Sequence, residues 1–332
     1  MSKLTDHKVL VFDVYGTLAD WETGLYNALQ PLLTKYPASE AWTRHDALNA
    51  FISVESDLQS QFPDMLYSDL LAKVHEVLEE RLRVLSGEPT GETTLAGKSV
   101  PTSPQDTTGG ASTSAVVESN STTHWDAHKA FGASIQNWPI FPDTCAALRR
   151  LAKHFKLVVL SNVDRESFRH THALLSEGPS WDTVTSNRDI YAYPSPNPHK
   201  YWHPQAAEGS KSPFTLILTA QDTGCYKPAL GGFRSVFDYI TEQPELFGDI
   251  GLAHGEEVKD KVMSVAQSLQ HDHEAAQQLG MRSVWIDRQE AVTCNVSAGG
   301  PGAKPKWTWR FETLAEMADA VEREVADSEG IS

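Results

Sequence analysis

The chain has 332 residues, with 28 Lys and Arg against 44 Asp and Glu, a formal charge of −16 that argues against nucleic acid or an anionic membrane as a partner. Hydrophobic residues make up 40 % and aromatics 9 %, enough for a substantial core, and the length is about twice a typical domain, so two domains are expected. The longest apolar runs are too short to span a bilayer, and the N-terminus leads straight into a strand, so a cytoplasmic protein without a signal peptide is expected. Cys145, Cys225 and Cys294 are odd in number and widely spaced, which fits a reducing compartment and gives no zinc pattern.

Val9 to Phe12 is a run of four apolar, β-prone residues, as in a strand buried on both faces of a parallel sheet. Asp13 follows where the strand runs out, and ligands of open α/β sheets bind beyond the carboxyl ends of strands. The carboxylate reads either as chemical or as the cap of a following helix. Gly16 permits a tight turn, and Thr17 offers a hydroxyl beside the acid. Trp42 to Leu58 then carries Leu48, Phe51, Ile52 and Leu58 on one helical stripe, with Glu55 among them. Ser68 is expected to cap a second helix with Leu71, Val74, Leu78, Leu82 and Leu85 on its apolar face. From about 87 to 123 the chain is rich in Gly, Ser, Thr and Pro and almost free of large apolar residues, so a disordered insertion is expected. Helix should return from Trp125 to Ile135 and end at Trp138-Pro-Ile-Phe-Pro142.

An α/β pattern follows. Asp143 to Phe155 reads as a helix with Ala147, Leu148, Leu151 and Phe155 inward, and Lys156 to Asn162 as a second buried strand ending in polar residues. Trp181 to Ser186 suggests a short strand, and the five prolines between Pro194 and Pro213 a surface loop. Strands are expected at Phe214–Thr219, Lys261–Ala266 and Ser283–Asp287, with a helix from His273 to Leu279 stopped by Gly280.

Four stretches at these strand ends carry a resemblance. Phe12-Asp13-Val14-Tyr15-Gly16-Thr17-Leu18 resembles the first motif of the haloacid dehalogenase (HAD) superfamily, whose members use that Asp as a covalent nucleophile. Leu160-Ser161-Asn162, Tyr226-Lys227-Pro228 and Ser268-Leu-Gln-His-Asp272-His-Glu-Ala-Ala resemble the second, third and fourth motifs, in the family's order. Tyr15 stands where the phosphatase branch usually has a second Asp, so the chain looks more like the 2-haloacid dehalogenases. The His271-Asp272-His273 tail, the Ser161 to Asp164 turn and the long insertions resemble a fungal, type II 2-haloacid dehalogenase-like subgroup.

The resemblance implies a Rossmann-like core over 1–18 and 139–332, with a helical cap over 19–138. It also implies a hydrolase acting on a small molecule through a covalent aspartyl intermediate. Asp13 is the expected nucleophile, Lys227 its counter-ion, and Asp272 the base or water-orienter; Tyr15, Thr17, Ser161, Asn162 and Glu55 are the expected substrate-binding residues. Halide is the anion of a strong acid and leaves without a proton, whereas an alkoxide needs one that Tyr15 supplies poorly. No cofactor is expected on this reading; Mg²⁺ belongs to the alternative, a phosphatase of the same fold. A homo-oligomer is compatible with the sequence. His271 and His273 are not expected to share a metal, because neighbours on a strand-to-helix turn point in different directions.

Two departures bear on the substrate. Dehalogenases carry an arginine on the first cap helix, but Asn49 to Leu58 has none and places Glu55 on the inward stripe. Glu55 is either tied to a basic partner or faces Asp13 and repels a carboxylate. The family's Asn three positions before the motif-four Asp is Leu269 here.

Overall fold

A computed structural model describes residues 2–88, 119–180, 188–288, 291, 293 and 305–330. Six parallel strands form its centre: β1 (Val9–Phe12), β2 (Lys156–Ser161), β3 (Leu216–Thr219), β4 (Val262–Ala266), β5 (Arg282–Ile286) and β6 (Trp309–Phe311), in the order β3-β2-β1-β4-β5-β6. All residues of β1 are buried, as a strand covered on both faces requires. Alternate side chains feed two cores: Leu10, Phe12, Leu157 and Val159 on one face, Val9, Val11, Val158 and Leu160 on the other. Truncating Phe12 to Ala would cost about 3–5 kcal/mol in such a setting.

Chain direction changes sides at β1. It pairs with β2 on one side and β4 on the other, with Val9 level with both Lys156 and Val262. This is a topological switch point, and it opens a crevice beyond the carboxyl ends of β1, β2 and β4.

Four helices separate β1 from β2: α1 (Trp21–Leu33), α2 (Arg44–Gln61), α3 (Tyr67–Leu85) and α4 (Ser119–Gly132), before the chain returns through α5 (Thr144–Leu151). The outgoing and returning segments run antiparallel, bridged at Ala19 and Ile140, with Asp20 N donating to Pro139 O at 2.8 Å and Phe141 N to Leu18 O at 3.1 Å. Arg288 ties both together: its guanidinium donates to Thr17 O at 2.8 Å, pairs with Asp143 at 2.9 Å and lies over the Phe141 ring.

The second half adds α6 (Arg165–Glu177), the one-turn α7 (Ala220–Thr223), α8 (Gly231–Glu242), the one-turn α9 (Pro244–Phe247), α10 (Glu274–Leu279) and α11 (Leu314–Glu329). No helix among the described residues is long and apolar enough to cross a membrane.

Several sequence expectations need correction. The α3 helix starts at Tyr67, and Ser68 is not its cap; instead Ser68 N donates to Asp164 Oδ2, 3.0 Å away on the core. Leu85, expected on the buried stripe, is exposed at the helix end, and α4 begins at Ser119, inside the stretch expected to be unstructured. The Pro194 to Pro213 segment is not merely surface, since Trp202 is buried and pairs with Ile217, covering the open edge of β3. The rest of the 87–123 insertion, the Trp181 to Ser186 strand and Cys294 lie outside the described residues.

Candidate active site

Asp13 sits one residue past β1, and its amide still donates to Val265 O at 3.1 Å, so the sheet fixes its backbone. The chain then turns: Thr17, Leu18 and Ala19 all donate their amides to Val14 O, and Gly16 adopts φ +100°. A side chain at Gly16 would be strained at that φ and would also meet Gln267 and Trp21. The turn swings the fully buried Thr17 back under Asp13, and Thr17 Oγ1 donates to Asp13 Oδ2 at 2.7 Å. The same hydroxyl accepts from Gln267 N at 2.8 Å, which locks its rotor toward the carboxylate.

Lys227 comes from the loop before α8 and is held by its backbone. The Asn162 carboxamide accepts from Lys227 N at 2.7 Å and donates to Lys227 O at 3.1 Å. The ammonium then bridges two carboxylates, Asp13 Oδ1 at 2.7 Å and Asp272 Oδ1 at 2.8 Å, all three side chains being nearly inaccessible. Burial alone would lower the Lys227 pKa, but the two carboxylates outweigh it and hold it above its ordinary value. Asp272 lies in a π turn over Leu269–His273, and burial holds it above the usual carboxylate range, with the Asp13 charge acting in the same sense and Lys227 against it. Asp272 Oδ2 and Ser161 Oγ are buried, and neither has a hydrogen-bond partner among the described residues.

Asp13, Lys227 and Ser161 form the floor of a cavity of about 390 Å³, with Thr17 and Asp272 directly behind them. Asp13, Tyr15, Ser161, Asn162, Lys227 and His271 line it from the sheet side, and Trp21, His45, Ile52, Glu55 and Tyr67 from the α1–α3 side. The fold that carries this cavity is also that of known solved structures. Over 96 % of its length the chain is similar to the defluorinating L-2-haloacid dehalogenase Rha0230 (TM-score 0.55, 12 % identity, 98 % of that chain). Over 95 % it is similar to an L-2-haloacid dehalogenase from Xanthobacter autotrophicus with chloropropionic acid covalently bound (TM-score 0.52, 13 % identity, 98 % of that chain). It is likewise similar, over 95 %, to YfnB, a protein of Bacillus subtilis assigned as a HAD-hydrolase and bound to magnesium (TM-score 0.51, 13 % identity, 99 % of that chain). The chain has the HAD fold. No protein-family model matches the sequence, and no curated protein matches it.

On this HAD fold every residue singled out from the sequence lines the cavity or touches one that does, but their environments differ. Tyr15 faces the cavity edge-on to Trp138, and its hydroxyl lies 3.0 Å from Thr171 Oγ1. Burial raises its pKa further, so it is a weaker acid than an ordinary phenol. Asn162 has both ends of its carboxamide committed to the Lys227 backbone, which makes it a positioning residue more than a donor to substrate. Glu55 does face the cavity, and among the described residues it is not tied to a cation. The Tyr67 hydroxyl donates to it at 2.7 Å, and burial pushes its pKa up to about 7 against that hydrogen bond.

Two histidines are among the lining residues that the sequence reading did not single out for this role. His271 Nδ1 lies 3.2 Å from Ser268 Oγ, and burial, with Lys227 nearby, lowers its pKa, which favours the neutral ring. His45 comes from the first turn of α2, where nothing in the sequence distinguishes it from a solvated helix residue. His273 points elsewhere: its ring lies 2.9 Å from Ser283 Oγ and 3.0 Å from Ala266 O, so His271 and His273 share no site.

Proposed function

We propose that the chain is a hydrolase acting through a covalent ester on Asp13, of the 2-haloacid dehalogenase-like kind, and that the fungal-type subgroup resemblance describes it. Asp13 attacks an electrophilic carbon of a small molecule, a carbon–oxygen bond forms as the carbon–halogen bond breaks, and halide leaves with its electron pair. Water then attacks the aspartyl carbonyl. Asp272 takes the water's proton, the ester bond breaks, the product alcohol leaves, and Asp13 is regenerated.

The observation that carries this reading is the single ammonium shared by Asp13 and Asp272, with one oxygen of Asp272 left without a partner. Lys227 aims Asp13 through its 2.7 Å contact, and the Asp272 Oδ2 atom is the natural acceptor for a water proton. Thr17 and Ser161 supply hydroxyls for developing negative charge. The helices between β1 and β2 act as the cap over 19–138, excluding water while Asp13 attacks.

Glu55 shapes the substrate. No arginine lines the cavity among the described residues, and the one arginine of α2, Arg44, is directed to Glu22 at 3.7 Å and Thr23 at 3.1 Å. A substrate carboxylate would meet Glu55 rather than a cation. The reading therefore favours a neutral or donor-bearing distal end over a simple 2-haloacid.

One observation favours a second reading, a Mg²⁺-dependent phosphatase. The bare Asp272 Oδ2 is a hard oxygen donor of the kind Mg²⁺ takes, and Asp272 with the backbone carbonyl following Asp13 would hold the ion, which would neutralise phosphate charge. Against it, Lys227 already supplies positive charge between the two carboxylates, and Tyr15 is a poor acid for an alkoxide leaving group. A screen of haloacids, haloalcohols, haloamides and phosphate esters, with and without EDTA, separates the two. Halide release that survives EDTA supports the first reading; phosphate release that needs Mg²⁺ replaces it with the second.

A further inference from the structure

Away from the Asp13 cavity, α3 and α4 bring together His75, Glu79 and His128, all buried. His75 and Glu79 are one turn apart on α3 and share a face. His128 reaches them from α4, with its Nδ1 2.6 Å from His75 Nδ1 and its Nε2 3.5 Å from Glu79 Oε2. One potential ligand atom of each lies within 4.8 Å of the others. We propose that these three residues form a binding site for a divalent transition-metal ion of the zinc class, which staples α3 to α4.

Two imidazoles and a carboxylate form a ligand set suited to Zn²⁺, at Zn–N and Zn–O distances of about 2.0–2.2 Å. Two nitrogens on one tetrahedral ion at that distance stand about 3.3 Å apart, so binding would open the 2.6 Å His75–His128 approach and draw in the Glu79 oxygen, which lies within 4.8 Å. In the ion-free arrangement the three side chains can form a hydrogen-bond relay, but it leaves two ring nitrogens closer than the usual range of about 2.7–3.2 Å for N–H donors. A metal between them lets both nitrogens act as ligands and removes the need for that close approach. Glu79 is oriented as a ligand should be: Lys35 at 2.5 Å and the Tyr36 hydroxyl at 2.9 Å hold Oε1, and Oε2 is the atom turned to His128. His75 and Glu79 also border a second cavity of about 770 Å³, which gives a further coordination position access to water.

The site has a structural reason. The connection between α3 and α4 runs over residues 86–118, and a clip that closes a long loop removes the most conformational freedom from the unfolded chain. The metal's role is thus to hold the helical insertion together, and it takes no part in chemistry at Asp13.

The test uses the full, tag-free chain stripped with EDTA and titrated with Zn²⁺ alone. One ion should bind per chain, and the melting temperature should rise by about 5 °C at a hundredfold excess over Kd. His75→Gln and His128→Gln should each weaken binding at least about tenfold and abolish the rise. Co²⁺ bound to the unmodified chain should show visible d–d absorption that Zn²⁺ displaces, a readout that stands even if the variants misfold. Absence of one-to-one uptake, absence of the Co²⁺ bands, or uptake unchanged in the two variants would overturn the site. Metal uptake and melting temperature are independent of turnover, so this result is separate from the fate of the hydrolase reading.

Discussion

Tyr226 donates its hydroxyl proton to the Met65 carbonyl at 2.6 Å, so the residue directly before Lys227 is anchored to the turn between α2 and α3. A second tie lies beside it, where Asp164 Oδ2 accepts from the Ser68 amide at 3.0 Å. Asp164 already caps α6 through Ser167 N at 2.8 Å, so one carboxylate serves the first turns of two helices from different parts of the fold. Both ties join the lysine side of the sheet to the helical insertion and hold the cavity roof down.

Tyr226→Phe removes the first tie alone. The lost hydrogen bond is worth about 0.5–1.5 kcal/mol, so the closed form should be less populated and KM should rise roughly 2- to 10-fold, with kcat less affected. Limited proteolysis should cut faster between α2 and α3. Kinetics and proteolysis identical to the parent would show that the tie does not govern closure.

Lys227→Met leaves two carboxylates facing each other in a buried site. Removing one partner of such a cluster costs about 3–5 kcal/mol, and turnover should vanish. Adding Asp13→Asn removes one of the two orphaned charges and should recover part of the lost stability. Strictly additive losses in a denaturant double-mutant cycle would contradict the coupling between Asp13 and Lys227.

Glu55 predicts a pH dependence in two observables. Its folded pKa of about 7 lies above its ordinary value of 4.5, so between those limits the folded chain holds a proton that the unfolded chain has lost. Stability from this group is therefore present at low pH and declines as pH rises through about 7, and Glu55→Gln should remove that decline. For an anionic substrate, KM should rise above pH about 7 as Glu55 ionises, and Glu55→Gln should flatten the profile. A neutral substrate should show no such limb. An unchanged profile in Glu55→Gln would place the anionic end of the substrate elsewhere.

Asp272 sets the acid limb of turnover. As a base it must be ionised, and burial raises its pKa above the usual carboxylate range, so kcat should fall as pH drops through a value higher than that of an ordinary Asp. Asp272→Asn should abolish the hydrolytic half-reaction and let the aspartyl ester accumulate, which intact-mass spectrometry reads directly. Normal turnover by Asp272→Asn would remove it from the mechanism.

The buried strands were legible because burial on both faces leaves a continuous apolar run: β1 spans the range read from the sequence, and β2 ends at Ser161, one residue short of it. The site was legible because its residues sit at those strand ends. Contacts made across space were not. Neither the capping of α3 by Asp164 nor the Tyr67 hydroxyl on Glu55 has a local signature. The α6 helix, polar and rich in His, and α8, which opens on Gly231-Gly232, carry weak helical patterns, and both went unread. The three-residue edge strand β6 is too short for any periodicity, and α11 beyond it went unread as well.

The central claim is that Asp13 is transiently esterified, and single-turnover hydrolysis in ¹⁸O water tests it most directly. Water attacks the aspartyl carbonyl rather than the substrate, so label should appear in the Asp13 carboxylate during the first turnover and reach product only in later ones. Asp13→Asn should abolish turnover with the fold retained, the change being nearly isosteric. Label entering product in the first turnover while Asp13 stays unlabelled would contradict the account.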